Sequence, residues 1–170
     1  MLIAMAGLPG AGKSSVAEAL GRKLAAPVVS VDPIEAAMWR AGVARSQPTG
    51  LAAYIVAEAV ASGVLALGQT VVVDAVNAVE EARGQWRSLA GRHGVPVVFI
   101  EVACSDPVVH RLRLESRSRD IEGFYEPTWE VVERRREEFA PWADDRLVLD
   151  SMVDLSLNVA TALDFLAAAP

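Results

Sequence analysis

Short apolar blocks alternate along this chain with longer stretches in which apolar positions recur every three or four residues. Leu2-Ile3-Ala4-Met5-Ala6 is continuous, as in a strand buried on both faces. After it, Val16, Leu20 and Leu24 fall at i, i+4 and i+8, the stripe of an amphipathic helix. Pro27–Val31 reads as a second strand ending at Asp32. Pro33 suits the first position of the next helix, with Asp32 as its cap and Ile34 and Met38 on one face. That helix stops near Gly42, and residues 43–50 form a mobile loop. A longer helix is predicted from about Leu51 to Leu67, with Leu51, Ile55, Glu58 and Leu65 on one side.

The second half repeats the alternation. Thr70–Val73 is a third strand ending at Asp74, and Val79, Ala82, Trp86 and Leu89 mark a helix stopped by Gly94. Val95–Ala103 is nearly all apolar and is therefore expected at the centre of the sheet. Ser105-Asp106-Pro107 starts a helix that runs into a polar loop, residues 118–127. Thr128 caps the next helix, which holds Trp129, Val132 and Phe139. A fifth strand over Arg146–Leu149 ends at Asp150, and a last alanine-rich helix starts near Leu155. Strands alternating with helices give an α/β fold with a parallel sheet covered on both faces.

Composition narrows the function classes. The 170 residues are 52% hydrophobic and 22% charged, which fits one folded domain. A net charge of −6 argues against general affinity for long nucleic acid or anionic membranes. No apolar run approaches the roughly 20 residues of a membrane span. The first strand begins at Leu2, so no signal peptide is expected, and the single cysteine, Cys104, forms no internal disulfide. Cytoplasm is the expected location.

One stretch carries chemistry by its pattern. Gly7-Leu8-Pro9-Gly10-Ala11-Gly12-Lys13-Ser14 fits G-x-x-x-x-G-K-[ST] between a predicted strand and a predicted helix. Its glycines allow the main chain to turn its N–H groups onto a phosphate, and the helix dipole adds positive charge there. In this pattern Lys13 reaches the β- and γ-phosphates and the Ser14 hydroxyl binds Mg²⁺, with Ser15 beside it. Asp74, at the end of an apolar strand, is the candidate to orient the Mg²⁺ shell, although it could instead cap a helix. Asp32, a second carboxylate at a strand end, is a candidate base for an acceptor hydroxyl, with a helix cap as the alternative. Arg113 and Arg117 lie four apart on one helix face in a basic run, where they either pair with Glu115 and Asp120 or close over a transferring phosphoryl group. Residues 113–127 lack a sustained apolar stripe and are expected to form a lid that opens cheaply. His93, His110 and Cys104 carry no catalytic pattern. Trp86 has core spacing, and Trp39, Arg40, Arg45 and Tyr54 are candidates to line an acceptor pocket.

The loop GLPGAGKS, Asp32 in SVDPIEAAM, Asp74 in VVVDAVN and the arginine run together resemble the small P-loop kinases. That group includes gluconate and shikimate kinases, polynucleotide 5′-kinases, zeta toxins and chloramphenicol phosphotransferase. The last is the nearest resemblance, through SVDPIEAAM, the segment Val71 to Gly91 with Trp86-Arg87-Ser88, and the basic helix near Arg113. The resemblance implies a three-layer P-loop kinase fold whose five-stranded parallel sheet has the order 2-3-1-4-5. It also implies ATP as γ-phosphoryl donor and an acceptor alcohol activated by Asp32. Acceptor-pocket residues do not carry over, because residues 39–54 and 120–145 depart from the pattern. The expected activity is ATP- and Mg²⁺-dependent phosphorylation of a small hydroxylated molecule, such as an antibiotic or metabolite. A nucleotide or polynucleotide 5′-hydroxyl kinase, motivated by Arg40 and Arg45, and a nucleotide-dependent switch are the alternatives.

Overall fold

Helices separate successive strands, and such crossovers are what parallel pairing of consecutive strands needs. The computed structural model describes residues 1–117, 121–143 and 145–169. Its strands are β1 (Leu2–Ala6), β2 (Val28–Ser30), β3 (Val71–Asp74), β4 (Val97–Ala103) and β5 (Arg146–Asp150). They form one parallel sheet in the order β2-β3-β1-β4-β5. The helices are α1 (Lys13–Leu24), α2 (Val31–Arg40), α3 (Thr49–Ala66), α4 (Glu80–His93), α5 (Pro107–Ser116), α6 (Trp129–Glu137) and α7 (Leu155–Ala167).

Alternate strand residues serve opposite layers, as the two-residue strand period requires. Leu2, Ala4, Val71, Val73 and Phe99 pack under α3 and α4, with Trp86 and Leu89 fully buried. Ile3, Met5, Val72, Val98 and Ile100 pack on the other face against Val16, Ala17 and Leu20 of α1 and Val159 and Ala162 of α7. Every residue of β1 is buried, and β1 is the middle strand; β4 is interior too, paired with β1 and β5 as its apolar run predicts. The chain leaves β1 toward β2 and β3 on one side and reaches β4 and β5 on the other. That reversal opens a crevice at the carboxyl end of β1, the place where such sheets bind ligands.

Two helices differ from their predicted form. In α3 the buried positions are Thr49, Ala53, Ala57, Ala61 and Leu65, while Leu51 and Ile55 face outward at 64% and 56% exposure. Small alanines let the helix lie close on the sheet, so proximity outweighs side-chain bulk in choosing the buried face. Contrary to the expectation of no span-length run, α3 is long and apolar enough, by length and composition, to cross a membrane. In α2 the N-cap position is Ser30, and Asp32 and Pro33 lie inside the first turn. The expected cap at Asp32 is therefore corrected, which leaves its carboxylate on the rim of the sheet instead of folded over the helix end. The helix start at Asp106 is as expected: its Oδ1 accepts from the N–H groups of Val108 and Val109 at 2.9 and 3.1 Å.

Candidate active site

The β1–α1 connection runs through Gly7, Gly10 and Gly12, all with positive φ. At Gly7 a Cβ would sit 2.2 Å from the backbone oxygen of Val102, so no side chain fits. The loop is pinned by its own neighbours: Gly7 N–H donates to Val76 O at 3.1 Å and Ala11 N–H to Leu8 O at 3.1 Å. Leu8 packs on the small cluster of Leu114, Trp129 and Val132. Lys13, the first residue of α1, is buried with its stem beside Gly7. Ser14 is half-buried, and Ser15 is exposed next to it.

A residue that sequence reasoning passed over holds the loop from outside. His110 on α5, which carries no catalytic pattern in the sequence, is 2% exposed. Its Nε2–H donates to Pro9 O at 2.8 Å, Nδ1 faces an Arg136 guanidinium nitrogen at 3.4 Å, and the ring meets Trp129 edge-on. This arrangement uses the neutral imidazole. Burial, followed by the charges of Arg136, Arg113 and Lys13, holds its pKa below the ordinary 6.5, against the Pro9 bond, which raises it. The unfolded chain therefore takes up a proton at a pH where the folded chain does not. The stability contributed by neutral His110 is present above pH 6.5 and is lost as pH falls from 6.5 through the lowered folded value. Thermal melts should accordingly show the midpoint dropping below pH 6.5, and less steeply in His110→Gln. Parallel curves for the two proteins would exclude this role.

Asp74 ends β3 beside β1, in register with Met5 on one side and Ser30 on the other. It is 8% exposed; Oδ2 accepts from Ser30 Oγ at 3.4 Å, and Oδ1 is buried without a hydrogen-bond partner among the described residues. A buried carboxylate oxygen left unpaired is costly unless something binds it. Together with the Ser14 hydroxyl at the helix start, it fits a Mg²⁺ donor set of hard oxygens. No cluster of three or more His, Cys, Asp or Glu side chains suited to a metal occurs among the described residues.

One cavity beside the loop and one at Asp32 share no lining residue, and a third of about 390 Å³ abuts Gly7, Leu8 and Ala11. The first, about 750 Å³, is walled by Gly10, Gly12, Lys13, Ser14 and Ser15 on one side and by Arg113, Arg117 and residues 151–155 on the other. Arg113 is anchored there by hydrogen bonds to Ser151, at 2.8 Å to Oγ and 3.3 Å to the carbonyl. Arg117 is the C-cap of α5 and not part of its helical face; its Nε donates to Glu126 Oε2 at 2.7 Å. The second cavity, about 380 Å³, is lined by Asp32, Glu35, Tyr54, Gln85, Arg135 and Glu138, with Val76, Val79 and Leu51 as apolar wall. Since Val76 O also holds Gly7 N–H, this wall is tied directly to the phosphate loop.

The expected acceptor-pocket residues divide. Tyr54 lines the Asp32 cavity; its hydroxyl oxygen accepts from Asn77 N–H at 3.1 Å. Its pKa is pushed up to about 12, first by burial and further by the negative charges of Asp32 and Asp74, against the Asn77 bond and Arg135. Trp39, Arg40 and Arg45 do not line that cavity. They hold residues 122–125 instead: Arg40 pairs with Glu122 at 2.8 Å, Arg45 donates to Gly123 O at 3.2 Å, and Trp39 stacks on Phe124. The Arg45 guanidinium lies between the rings of Trp39 and Tyr125, 4.5 and 3.7 Å from their centroids. This stretch of the predicted lid thus makes more contacts than its composition suggests. Ser118, Arg119 and Asp120, the centre of that lid, lie outside the described residues.

The loop after β3 and the first turn of α4 each hold a further residue that sequence reasoning missed, Asn77 and Arg83. Asn77, at φ 50°, donates to Met5 O at 2.7 Å and accepts from Trp86 Nε1 at 2.9 Å. Arg83, fully buried, donates to the carbonyl oxygens of Asn77, Ala78, Ala140 and Pro141 at 2.8–3.0 Å and stacks on Trp142. Asn77 carries a sequence signal, since asparagine tolerates positive φ; Arg83 has none beyond an arginine among apolar helix positions.

The glycine-rich loop between β1 and α1 and a sheet of order 2-3-1-4-5 define a nucleotide-binding protein of the P-loop kinase fold. More particularly, the chain belongs to the AAA domain family, which matches residues 2–142. Solved structures of similar shape include a candidate kinase of Chloroflexus aurantiacus, 20% identical with TM-score 0.77 and 96% of each chain covered. Kti12 of Chaetomium thermophilum, in complex with ADP-AlF3, is 21% identical with TM-score 0.74, covering 99% of this chain and 98% of that one. A gluconokinase of Sinorhizobium meliloti is 20% identical with TM-score 0.71, covering 97% and 90%. At these identities the likeness establishes the fold. No curated protein matches this sequence.

Proposed function

We propose that the chain is an ATP- and Mg²⁺-dependent O-phosphotransferase, a kinase of one domain with residues 113–127 as lid, that phosphorylates a hydroxyl of a small molecule such as an antibiotic or metabolite. The observation that carries this reading is the position of Asp32. It stands in the first turn of α2, half-buried, and lines a cavity that is separate from the one beside Lys13 and Ser14. Two separate cavities fit a reading in which the nucleotide takes one and the acceptor the other. We place the reaction in the cytoplasm, where ATP is at hand.

In this reading the loop N–H groups and Lys13 hold the β- and γ-phosphates, and Arg113 and Arg117 line the nucleotide side, where their charge opposes that building on the phosphoryl oxygens. Ser14 and Asp74 would hold Mg²⁺, which when bound neutralises charge on the β- and γ-oxygens. Asp32 orients the acceptor hydroxyl and takes its proton as the new O–P bond forms; the bond from the γ-phosphorus to the bridging oxygen breaks, and ADP leaves. Arg40 and Arg45, the motive for a nucleotide or polynucleotide acceptor, are turned to residues 122–125 and do not face Asp32.

Asp32→Asn is expected to lower transfer about 10²–10³-fold while MgATP affinity is retained, since it removes a proton acceptor and no phosphate contact. ADP release over a panel of hydroxylated antibiotics and sugars, with calorimetric MgATP titration alongside, checks this. Full transfer in the variant, or lost MgATP binding, would sink the assignment of Asp32 as base.

A further inference from the structure

The cavity at Asp32 has a charge that selects among acceptors. Four carboxylates line it, from Asp32, Glu35, Glu81 and Glu138, against one guanidinium, that of Arg135. Glu35, Glu81 and Glu138 make no ion pair among the described residues. Glu35 is also fixed in place. It lies one helical turn after Asp32, and its Oε1 accepts from Thr49 Oγ1 at 2.7 Å, while the same Thr49 oxygen accepts from Trp39 Nε1 at 3.1 Å. Thr49 is buried, so this relay holds the Glu35 carboxylate on the cavity wall before any ligand arrives.

The opposite wall offers a donor. Tyr54 spends its oxygen on Asn77 N–H, and its own O–H has no partner among the described residues. The phenol stays protonated at ordinary pH, so it presents a hydrogen to an oxygen in the cavity. Leu51, Val76 and Val79 complete the wall with apolar surface, and about 380 Å³ accommodates one or two small rings.

Resting on the kinase reading of this same site, we infer that the acceptor is a hydroxylated amine, an amino sugar, aminocyclitol or amino alcohol, whose ammonium group is bound by Glu35 and Glu138 while one of its hydroxyls faces Asp32. Uncompensated carboxylates attract such a cation and repel acceptors that carry phosphate or carboxylate, so the cavity discriminates by charge in both directions. With Asp32 set aside, Arg135 offsets one of the three glutamates and leaves the balance acidic.

The test uses the full chain with MgATP and three matched classes of acceptor. These are glucosamine and 2-deoxystreptamine, their N-acetylated forms, and the acids gluconate and glucose 6-phosphate. Phosphorylated product is read by mass spectrometry, which separates transfer from ATP hydrolysis. The amines are expected to exceed their N-acetylated forms by at least about tenfold in kcat/KM, and the acids to be poorest. Glu35→Gln and, on the exposed end of α6, Glu138→Lys should each lower the amine-to-N-acetyl ratio about tenfold, with far-UV spectra confirming that both fold. Product from no amine, neutral or acidic acceptors that match the amines, or a ratio unmoved by both variants overturns the inference. If MgATP is bound and transferred only to neutral or acidic compounds, the kinase reading survives and this inference alone falls. Failure to bind MgATP at all removes both.

Discussion

Lys13→Ala is expected to lower acceptor-dependent phosphoryl transfer by about 10³-fold or more. The reason is where the charge sits. Lys13 is 8% exposed, its stem packed beside Gly7, so its ammonium meets the loop with little of the side chain in water. A charge in such a place interacts with phosphate oxygens far more strongly than it would in water, and it needs no reorganisation as the phosphoryl group moves. Because the loop N–H groups remain, MgATP binding should weaken less than turnover. Lys13→Arg should recover little, since the planar guanidinium is larger and cannot occupy the space of a straight amine. Single-turnover transfer and calorimetric MgATP binding, measured side by side, decide the matter; a Lys13→Ala protein with full transfer would end the assignment of this loop as the phosphate site.

Arg83→Ala should be the most damaging substitution for folding, at about 3–5 kcal/mol. Its guanidinium satisfies carbonyl oxygens from two separate segments, Asn77-Ala78 and Ala140-Pro141, and its flat face covers Trp142 at 3.8 Å. Truncation leaves those acceptors buried without donors and opens a cavity beneath the indole. At roughly 2–4 °C per kcal/mol for a chain of this size, the melting midpoint should fall by about 10 °C. Arg83→Lys should recover only a small part, because one ammonium cannot reach both segments. The second segment leads into β5 and the first forms the wall of the Asp32 cavity, so acceptor KM should rise in any variant that still folds. A midpoint within about 2 °C of the parent would show that water replaces the guanidinium without penalty.

Such residues mark the boundary of what the sequence discloses. The phosphate loop is legible because its geometry is local: glycines at positive φ between an apolar run and a helix stripe leave few alternatives for the backbone. Asp74 is legible for the same reason, as the polar end of a buried strand. Asp32 is legible as a residue on the rim and misleading as a cap. The Asp-Pro pair suggests a helix boundary, yet the helix begins at Val31, with Ser30, two residues before Asp32, in the cap position. The outward face of α3 was hidden by its composition, since both faces are apolar and only contact with the sheet picks out the alanine stripe.

What joins distant segments was not legible. His110 acts on Pro9 across 101 positions, Arg83 on Pro141 across 58, and Arg40 on Glu122 across 82. Nothing near any of these side chains in sequence shows its partner. Arg40 and Arg45 looked like acceptor contacts because they follow Asp32, whereas folding turns them to residues 122–125. Glu35 gave no signal at all, and only packing of α3 on α2 brings Thr49 to its carboxylate. The sequence by itself determined the alternation of strands and helices, the phosphate loop and the carboxylates at strand ends, because backbone sterics and burial periodicity act within a few residues. Tertiary structure alone decided which side chains hold that loop, which line the cavity at Asp32 and what charge that cavity carries, because those depend on hydrogen bonds and charge placement between segments that only the closed sheet brings together.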